Sequence, residues 1–343
     1  MKKITMAHGS GGQETRTLVT ELFQSRLGNE YLDRLEDAAV LPRPAYPIAL
    51  TTDTFVITPP EFPGADIGKL AVCGTVNDLW MSGARPLYLT AGFVLAEGLE
   101  LALLERVVTS MARAAQAAGV RIVAGDTKVV ENAGAAGSGL FINTAGLGCR
   151  CWAYPSGPAT VRPGDAVILS GPLGNHHAAV ISHRLGISNS ILSDCADLGP
   201  LINALLEGGV RVRALRDVTR GGLATILNEI AVAAGARITA EEKLIPVEAE
   251  VEALCGLLGL DPLYMANEGK FVCVVAAEEG EKALGLLRAF PLGARAVAIG
   301  RVEALPAPDA AWPGAEPPVT LRTTLGGRRI LDLLYGEGLP RIC

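Results

Sequence analysis

Four aspartates stand beside short apolar runs early in the chain: Asp37, Asp53, Asp78 and Asp126. A lone acid beside such a run commonly faces water or caps a helix. Four in succession favour another interpretation, because Mg²⁺ takes carboxylate oxygens as ligands while it keeps its bonds to substrate phosphates. The sequence therefore predicts a site for Mg²⁺ and a phosphate compound, if the fold brings these side chains together.

Asp78 lies at the end of a predicted helix over residues 67–79, and Asp66 is a suitable N-cap for that helix. A carboxylate on a small apolar helix face needs a cation or hydrogen-bond donors. We predict that Asp78 binds a cation, and a structural salt bridge is the alternative. Helical periodicity places these residues on the face in question: Ile67, Ala71, Gly74 and Asp78.

Two glycine-rich segments could present backbone amides to an anion. The first is His8-Gly9-Ser10-Gly11-Gly12, whose glycines allow a ligand to approach the backbone closely. It lacks the lysine of a P-loop, and a mobile loop is the alternative. The second is Gly221-Gly222 before a predicted helix, an N-terminus suited to phosphate, with Thr219 as the expected cap. An ordinary cap with tight packing is the alternative there.

The sequence ends in Pro340-Arg341-Ile342-Cys343. We expect the sulfur of a terminal cysteine to reach a pocket that no internal side chain could enter. Residues 327–343, fully extended, would span roughly 55 Å. Arg341 favours the thiolate form of Cys343, whereas the terminal carboxylate opposes it. The alternative is a frayed terminus that happens to end in cysteine.

Hydrophobic periodicity predicts an α/β (α+β) protein in which strands and helices position these residues. Prolines between 152 and 163 and again between 306 and 318 predict the boundaries of a domain over 1–153, a domain over 154–305 and a mobile tail over 306–343. Glu268 precedes one of the strands and could be a simple turn residue. The predicted helices cover 15–27, 67–79, 101–118 and the residues after Gly222. The predicted strands cover 38–41, 49–54, 120–124, 140–148, 164–171 and 271–275.

Composition excludes several classes of protein. The 343 residues are 49% apolar with a net charge of −6, which supports two domain cores and argues against a nucleic-acid partner. No run of 18 apolar residues or signal peptide is present, so we expect a cytoplasmic protein without a membrane partner. Seven scattered cysteines indicate reduced thiols, and neither Cys149-x-Cys151 nor His176-His177 has a metal-site spacing.

Five segments together resemble the HypE family of hydrogenase maturation factors over essentially the whole chain. The acidic motifs alone are shared with a wider superfamily: aminoimidazole ribonucleotide synthetase, selenophosphate synthetase and thiamine-monophosphate kinase. The Pro-Arg-Ile-Cys end is specific to HypE. Glu36 replaces the first acid of a double-acid pair, so Asp37 is the expected ligand. The segments are His8–Gly12, Asp66–Leu79, Gly125–Val130, Asp217–Leu223 and Pro340–Cys343.

The resemblance implies a two-domain ATP-binding fold like that of aminoimidazole ribonucleotide synthetase. Its N-terminal domain would form a β-barrel with a second copy in a homodimer, and ATP would lie in a cleft between the domains. The tail cysteine would receive a carbamoyl group from the carbamoyltransferase HypF. ATP-dependent dehydration would convert that group to a thiocyanate. The cyanide would pass to iron on the HypC–HypD complex for the [NiFe] hydrogenase site.

The motifs and the resemblance together assign the site residues. Cys343 would carry the substrate, and Lys128 and Glu268 would remove the two N–H protons, in an order that the sequence leaves open. The predicted ligands of Mg²⁺ are Asp37, Asp53, Asp78, Asp126 and Asp217. The predicted contacts of ATP are Gly11, Gly12, Asp37, Asp53, Thr54, Lys69, Asn77, Asp78, Gly125, Asp126, Thr127, Gly221 and Gly222.

Two other functions are compatible with parts of the sequence. Another ATP-dependent enzyme of the superfamily would phosphorylate a free small molecule and would not need Cys343. A non-enzymatic carrier would use the tail thiol and would not need the aspartates.

Cys343→Ala is expected to abolish thiocyanate formation while ATP binding and the melting temperature stay unchanged, because the sulfur anchors the substrate and packs no core. Residues added after Cys343 should inactivate the protein as well. Mass spectrometry of the C-terminal peptide and nucleotide titration measure both effects. Hydrogenase maturation supported by the alanine variant would contradict the assignment.

Overall fold

The computed structural model describes residues 2–131, 139–151, 157–305 and 318–333. These residues form two compact units. The first unit holds the described residues up to Cys151 together with the short segment Cys195–Asp197, and the second holds the others. The prediction of a mobile tail over 306–343 is wrong for residues 318–333, where Val319–Arg322 and Arg328–Ile330 form strands of the second unit's sheet because Val319 and Leu321 are buried in its core. The rest of the predicted tail, including Cys343, lies outside the described residues.

The first unit is built on a four-stranded sheet in the order β1-β6-β4-β5, with a small hairpin beside it. β4 and β5 run parallel, and the other neighbouring strands of the larger sheet run antiparallel. The strands are β1 (Ile48–Phe55), β2 (Glu61–Phe62), β3 (Ala65–Asp66), β4 (Ala84–Ala96), β5 (Arg121–Val130) and β6 (Leu140–Arg150).

Helices cover one face of this sheet. The α-helices are α1 (Gln13–Thr17), α2 (Ser25–Leu27), α3 (Ile67–Met81) and α4 (Leu101–Ala117), and a π-helical stretch, Leu18–Gln24, joins α1 to α2. The predicted cap of α3 is confirmed, because Asp66 Oδ1 accepts hydrogen bonds from the N–H groups of Gly68 (2.7 Å) and Lys69 (3.0 Å). Position 68 requires glycine, because a Cβ there would lie 2.2 Å from the carbonyl oxygen of Val107 on α4.

The opposite face of the sheet, which we call the open face, carries exposed side chains. Strand alternation turns Leu89, Phe93 and Leu95 toward the helices, where they are buried. Their neighbours along each strand point the other way and remain largely accessible. The open face consists of Ile48, Leu50, Thr52 and Thr54 on β1, Phe141, Asn143 and Ala145 on β6, Thr90, Gly92 and Val94 on β4, and Asp126, Lys128 and Val130 on β5.

The second unit is built on a seven-stranded sheet in the order β13-β12-β9-β11-β7-β10-β8. β12 and β9 run parallel, and the other neighbours run antiparallel. The strands are β7 (Ala166–Leu169), β8 (Val212–Asp217), β9 (Arg237–Glu241), β10 (Phe271–Val275), β11 (Val297–Glu303), β12 (Val319–Arg322) and β13 (Arg328–Ile330).

The α-helices of the second unit include α7, which packs a row of leucine and isoleucine side chains into the core. Leu223, Leu227 and Ile230 are all fully buried there, as the helical period predicts. The helices are α5 (Asn175–Leu185), α6 (Gly199–Glu207), α7 (Gly222–Ala234), α8 (Ala249–Leu258) and α9 (Gly280–Arg288). Single 3₁₀ turns occupy Met6–Gly9, Leu32–Arg34, Pro158–Thr160, Glu242–Leu244, Pro262–Tyr264, Ala277–Glu279 and Pro291–Gly293.

Three local predictions are wrong. Residues 38–41 form no strand, because that run is exposed or half-buried and pairs with no strand in the part of the chain that the structure describes. Asp126 and Lys128 lie inside β5 rather than after it, since this strand continues to Val130 along β4. Thr219 does not cap α7: Gly221 is the N-cap residue, in the left-handed region at φ 77°, and Thr219 accepts the Gly222 N–H through its carbonyl oxygen.

The cysteines of the described residues are free thiols, as the sequence predicted. Within the same residues, no helix combines the length and the apolar character that crossing a membrane requires.

Candidate active site

Two hydrogen bonds between β1 and α3 hold a pair of carboxylates. The hydroxyl of Thr51 donates to Asp78 Oδ2 at 2.9 Å, and the hydroxyl of Thr75 donates to Asp53 Oδ2 at 3.3 Å. Each element thus contributes one aspartate and one threonine. Thr51 and Asp53 are two residues apart on a strand, so both point toward the helix. Asp53 and Asp78 are therefore both held where α3 packs against β1, at one edge of the sheet.

A buried threonine of β6 extends this arrangement. Thr144 Oγ1 lies 2.5 Å from Thr75 Oγ1, and both side chains are fully buried. Thr75 can accept from Thr144 while it donates to Asp53. The sequence did not single out these threonines, although Thr51 and Asp53 share strand alternation and Thr75 lies one helical turn before Asp78.

Asp126 and Lys128 form an ion pair at the other edge of the sheet. Lys128 Nζ lies 2.7 Å from Asp126 Oδ2, and both side chains are about two-thirds exposed, at 66% and 68%. The hydrogen bond from Lys128 lowers the pKa of the Asp126 carboxyl below its usual value, and the Thr127 N–H contributes in the same direction. Exposed ion pairs contribute about 0–1 kcal/mol to stability, so a ligand can separate this pair at little cost.

The glycine-rich N-terminal segment lies against β5, the strand that carries Asp126 and Lys128. A Cβ at Gly9 would come within 2.8 Å of the Val129 backbone nitrogen, so the contact requires glycine. Gly11 adopts φ 83°, and its N–H donates to the Thr15 hydroxyl at 3.0 Å. Gly12 is the N-cap of α1. Gly125 faces Ala91 closely, so that a Cβ at position 125 would lie 2.7 Å from the carbonyl oxygen of Ala91.

Asp53 and Asp126 lie at opposite edges of one sheet. Asp53 is on β1 and Asp126 on β5, which are the outermost strands. Strand spacing of about 4.8 Å separates them by about 14 Å across three steps. Asp53 also points toward α3, whereas Asp126 shares the open face with its neighbours Gly92 and Asn143. One metal ion cannot contact both Asp53 and Asp126 in a single chain.

Four other predicted residues of the first unit are scattered. Asp37 is exposed in the loop before β1. Thr54 lies on the open face and accepts a hydrogen bond from Asn143 at 2.9 Å. Lys69 is half-buried in the first turn of α3. Asn77 is buried, and its amide donates to the carbonyl oxygen of Ala196 at 3.0 Å, within the first unit.

The predicted residues of the second unit gather at one end of its sheet. Asp217 ends β8 and pairs with Phe271, the first residue of β10. Glu268 lies in the turn just before β10 and is buried. This turn is attached to the residue after Asp217, because Val218 N–H donates to the Lys270 carbonyl and Val218 O accepts the Asn267 N–H. Gly221 and Gly222 follow at the start of α7, both with positive φ.

Two charged residues near Glu268 escaped the sequence analysis. Asp194 accepts the Glu268 N–H through Oδ1 at 3.0 Å and pairs with Lys270 Nζ through Oδ2 at 3.1 Å. Lys270 lies two residues after Glu268 in the same turn, but Asp194 is 74 residues away in sequence. No spacing signal links them, so only the folded chain reveals the contact.

The number of carboxylates near the contact between β1 and α3 fits a site for magnesium and phosphate. The described residues contain no cluster of three or more His, Cys, Asp or Glu side chains arranged to hold a metal by themselves. Mg²⁺ in phosphate-transfer sites is commonly bound by one or two carboxylates, with substrate phosphates and water completing the shell. Asp53 and Asp78 match that donor set.

Family models match both units. The model "AIR synthase related protein, N-terminal domain" covers residues 35–149, and "AIR synthase related protein, C-terminal domain" covers residues 162–312. A carbamoyl dehydratase HypE from Rhodobacter capsulatus is 49% identical over all of this chain and 98% of its own length. The chain belongs to the HypE family.

Solved structures of HypE proteins have the same fold. One, a HypE in complex with ATP, is 45% identical and superposes with a TM-score of 0.91 over 98% of this chain and 99% of its own. Another, from a HypE–HypF complex, is 43% identical with a TM-score of 0.77 over 92% of this chain and 99% of its own. The mixed α/β, two-domain fold predicted from the sequence is therefore confirmed.

Asp78→Asn is expected to weaken Mg·ATP binding by at least tenfold with little change in melting temperature. The amide oxygen can still accept from Thr51, but it carries no charge for a cation. Calorimetric titration and thermal unfolding of the purified variant measure the two quantities.

Asp66→Ala on the same helix is the matched control. Loss of an N-cap costs about 0.5–2 kcal/mol of stability, and we expect Mg·ATP affinity to stay near the wild-type value. A large loss of stability in Asp78→Asn, with nucleotide affinity preserved, would instead indicate a structural role for this carboxylate.

Proposed function

We propose that this chain is an ATP-dependent carbamoyl dehydratase of hydrogenase maturation, acting on a carbamoyl group carried by Cys343. Its full-length similarity to carbamoyl dehydratase HypE, and to a HypE in complex with ATP, supports this function. The observation that carries the ATP-dependent part is the carboxylate pair Asp53–Asp78, which two threonine hydroxyls orient.

The first step activates a poor leaving group. The oxygen of the S-carbamoyl group attacks the γ-phosphorus of ATP, and ADP leaves. One N–H proton passes to a base as the C=N bond forms, giving an S-linked imidate phosphate. The γ-phosphoryl group now sits on the oxygen that must depart, and phosphate is a far better leaving group than hydroxide.

The second step forms the nitrile. The remaining N–H proton passes to a base while the C–O bond breaks, inorganic phosphate leaves and the sulfur carries a thiocyanate. The carbamoyl group has then lost the elements of water, and ATP has become ADP and phosphate. Lys128 and Glu268 are the proposed bases, and their order stays open.

In this proposal Asp53 and Asp78 would hold Mg²⁺, whose charge would neutralise that of the phosphates of bound ATP. Asp37, Asp126 and Asp217 stay predicted ligands. The chain's own contribution is to fix the carboxylates, since a side chain already hydrogen-bonded in its bound orientation loses less conformational freedom on binding.

We propose HypF as the donor of the carbamoyl group and the HypC–HypD complex as the acceptor of the cyanide. The solved HypE–HypF complex supports the first partner, because this chain covers 99% of the HypE-like chain that it matches there. The second partner rests on the family resemblance. In this proposal the sulfur stays on Cys343 throughout: it receives the carbamoyl group from HypF, and the cyanide later leaves it for the HypC–HypD complex.

We also propose that two copies pair through the open face of the first unit, as the family's dimeric β-barrel implies. Four aliphatic side chains there remain between 37% and 75% exposed, namely Ile48, Leu50, Val94 and Val130. A sheet that is covered by helices on one face and carries exposed aliphatic side chains on the other gains free energy when those side chains are buried. A second copy offers an identical surface, which a two-fold axis makes self-complementary.

Leu50→Asp is expected to shift the chain from dimer to monomer, because a buried carboxylate without a partner opposes association. Sedimentation velocity at micromolar concentration measures the change. Leu257→Asp, at a leucine that is 70% exposed on α8, is the matched control and should stay dimeric. A Leu50→Asp protein that sediments like wild type would contradict pairing through this face.

Lys128→Ala and Glu268→Gln should each bind ATP and yet convert the carbamoylated tail about 10²–10⁴-fold more slowly, the usual effect of losing a general base. The tail is first carbamoylated by HypF with carbamoyl phosphate and ATP. Mass spectrometry of the C-terminal peptide over time then follows the loss of one water.

The same experiment distinguishes the proposed dehydratase from the two alternative functions, a small-molecule kinase and a non-enzymatic carrier. A superfamily kinase would consume ATP without any mass change at Cys343, and a simple carrier would gain the carbamoyl group without losing water. Near-normal conversion in both variants would remove Lys128 and Glu268 from the mechanism.

A further inference from the structure

A buried ion pair of the second unit encloses the turn that carries Glu268. The side chains of Lys270 and Asp194 are only 8% and 7% exposed, and Nζ lies 3.1 Å from Oδ2. The other carboxylate oxygen accepts the Glu268 N–H at 3.0 Å, and Lys270 Nζ also donates to the Gly269 carbonyl at 3.1 Å. The ion pair thus contacts the backbone on both sides of the Glu268–Gly269 peptide.

Stability alone is a poor reason for such a pair. The cost of removing two charges from water roughly cancels their attraction, and apolar residues of similar volume often serve the fold equally well. The lysine stem also fits a restricted space, because a Cβ at Gly171 would lie 3.1 Å from Lys270 Cε. The specific result of the arrangement is a fixed backbone at Glu268.

Asn267 holds the other end of this turn. Its Oδ1 accepts the Gly174 N–H at 2.7 Å, and its Nδ2 donates to the carbonyl oxygens of Val218 and Met265. With Asn267 on one side and the ion pair on the other, the backbone at Glu268 has little freedom to rotate. A base that must meet an N–H proton within about 3 Å benefits from such restraint.

We propose that Asp194 and Lys270 are positioning residues that orient Glu268 toward the carbamoyl nitrogen. This inference rests on the proposed function, in which Glu268 is one of the two bases. Asp194 accepts the Glu268 N–H through one carboxylate oxygen. Lys270 neutralises the Asp194 carboxylate and fixes the rotamer of that aspartate. Neither side chain takes part in proton transfer.

The test replaces the ion pair in two ways. Asp194→Leu/Lys270→Met removes both charges and the acceptor, and it should fold because no unpaired charge is left behind. Asp194→Asn/Lys270→Met removes both charges but keeps an acceptor oxygen for the Glu268 N–H. Each protein is carbamoylated at full length, and its ATP affinity, its melting temperature and its rate of water loss are measured.

We expect the leucine variant to bind ATP normally and to convert the tail about 10- to 10²-fold more slowly, the scale of effect seen when a reacting group is displaced by about 1 Å. The asparagine variant should recover most of the rate. Adding Glu268→Gln to the leucine variant should slow it little beyond Glu268→Gln alone, because both changes remove the same contribution.

Asp165→Asn/Arg213→Met is the matched control. Asp165 is also buried and lies 3.6 Å from Arg213, but it precedes β7 and so lies at the end of that strand remote from the Glu268 turn. Its rate of conversion should equal that of the wild type. If the leucine variant does not fold, Asp194→Ala/Lys270→Met, which also lacks the acceptor, replaces it.

Three results would overturn the inference: a wild-type rate in the leucine variant, an equally slow asparagine variant, or a parallel loss of ATP affinity. The Glu268→Gln protein tells this failure apart from failure of the proposed function. If that single variant is slow while the leucine variant is normal, only the positioning role is wrong. If wild-type protein itself loses no water, the proposed function is wrong.

Discussion

The close approach of α3 to its sheet is the constraint on which the candidate site depends. A Cβ at Gly146 would lie 2.7 Å from the Thr75 methyl group, and a Cβ at Gly74 would lie 2.9 Å from the Phe55 ring. Glycine at both positions lets the helix lie near enough for short threonine hydroxyls to reach across. Longer side chains at either glycine would separate Asp53 from the hydroxyl that orients it.

Two aspartate–lysine pairs in this protein illustrate how burial decides what an ion pair can do. Asp126 and Lys128 lie in solvent, where water screens their attraction and a phosphate or metal can replace either partner. Asp194 and Lys270 are enclosed, so separating them would leave a charge without water. The first pair can open when a ligand arrives, whereas the second is suited to holding one backbone geometry throughout a reaction.

The family's chemistry was accessible from the sequence because its motifs are local. Asp66 caps α3, the 67–81 helix has the predicted bounds within two residues, and β10 occupies 271–275 as its apolar run indicates. These features depend on residues a few positions apart, where capping, helical period and strand alternation act directly. The acids at 53 and 78 could likewise be assigned to elements that each pattern defines.

Tertiary structure decided which of these residues meet. Asp53 and Asp78 are both held at the contact between α3 and β1. Asp126, equally prominent in the sequence, lies on the opposite edge strand and the opposite face, because β5 pairs with β4 at the far edge. Asp194 reaches Glu268 across 74 residues. The sequence by itself determined the local elements, the acidic motifs and the cysteine end. Strand order and helix packing decided the contacts, because they depend on interactions between residues far apart in the chain.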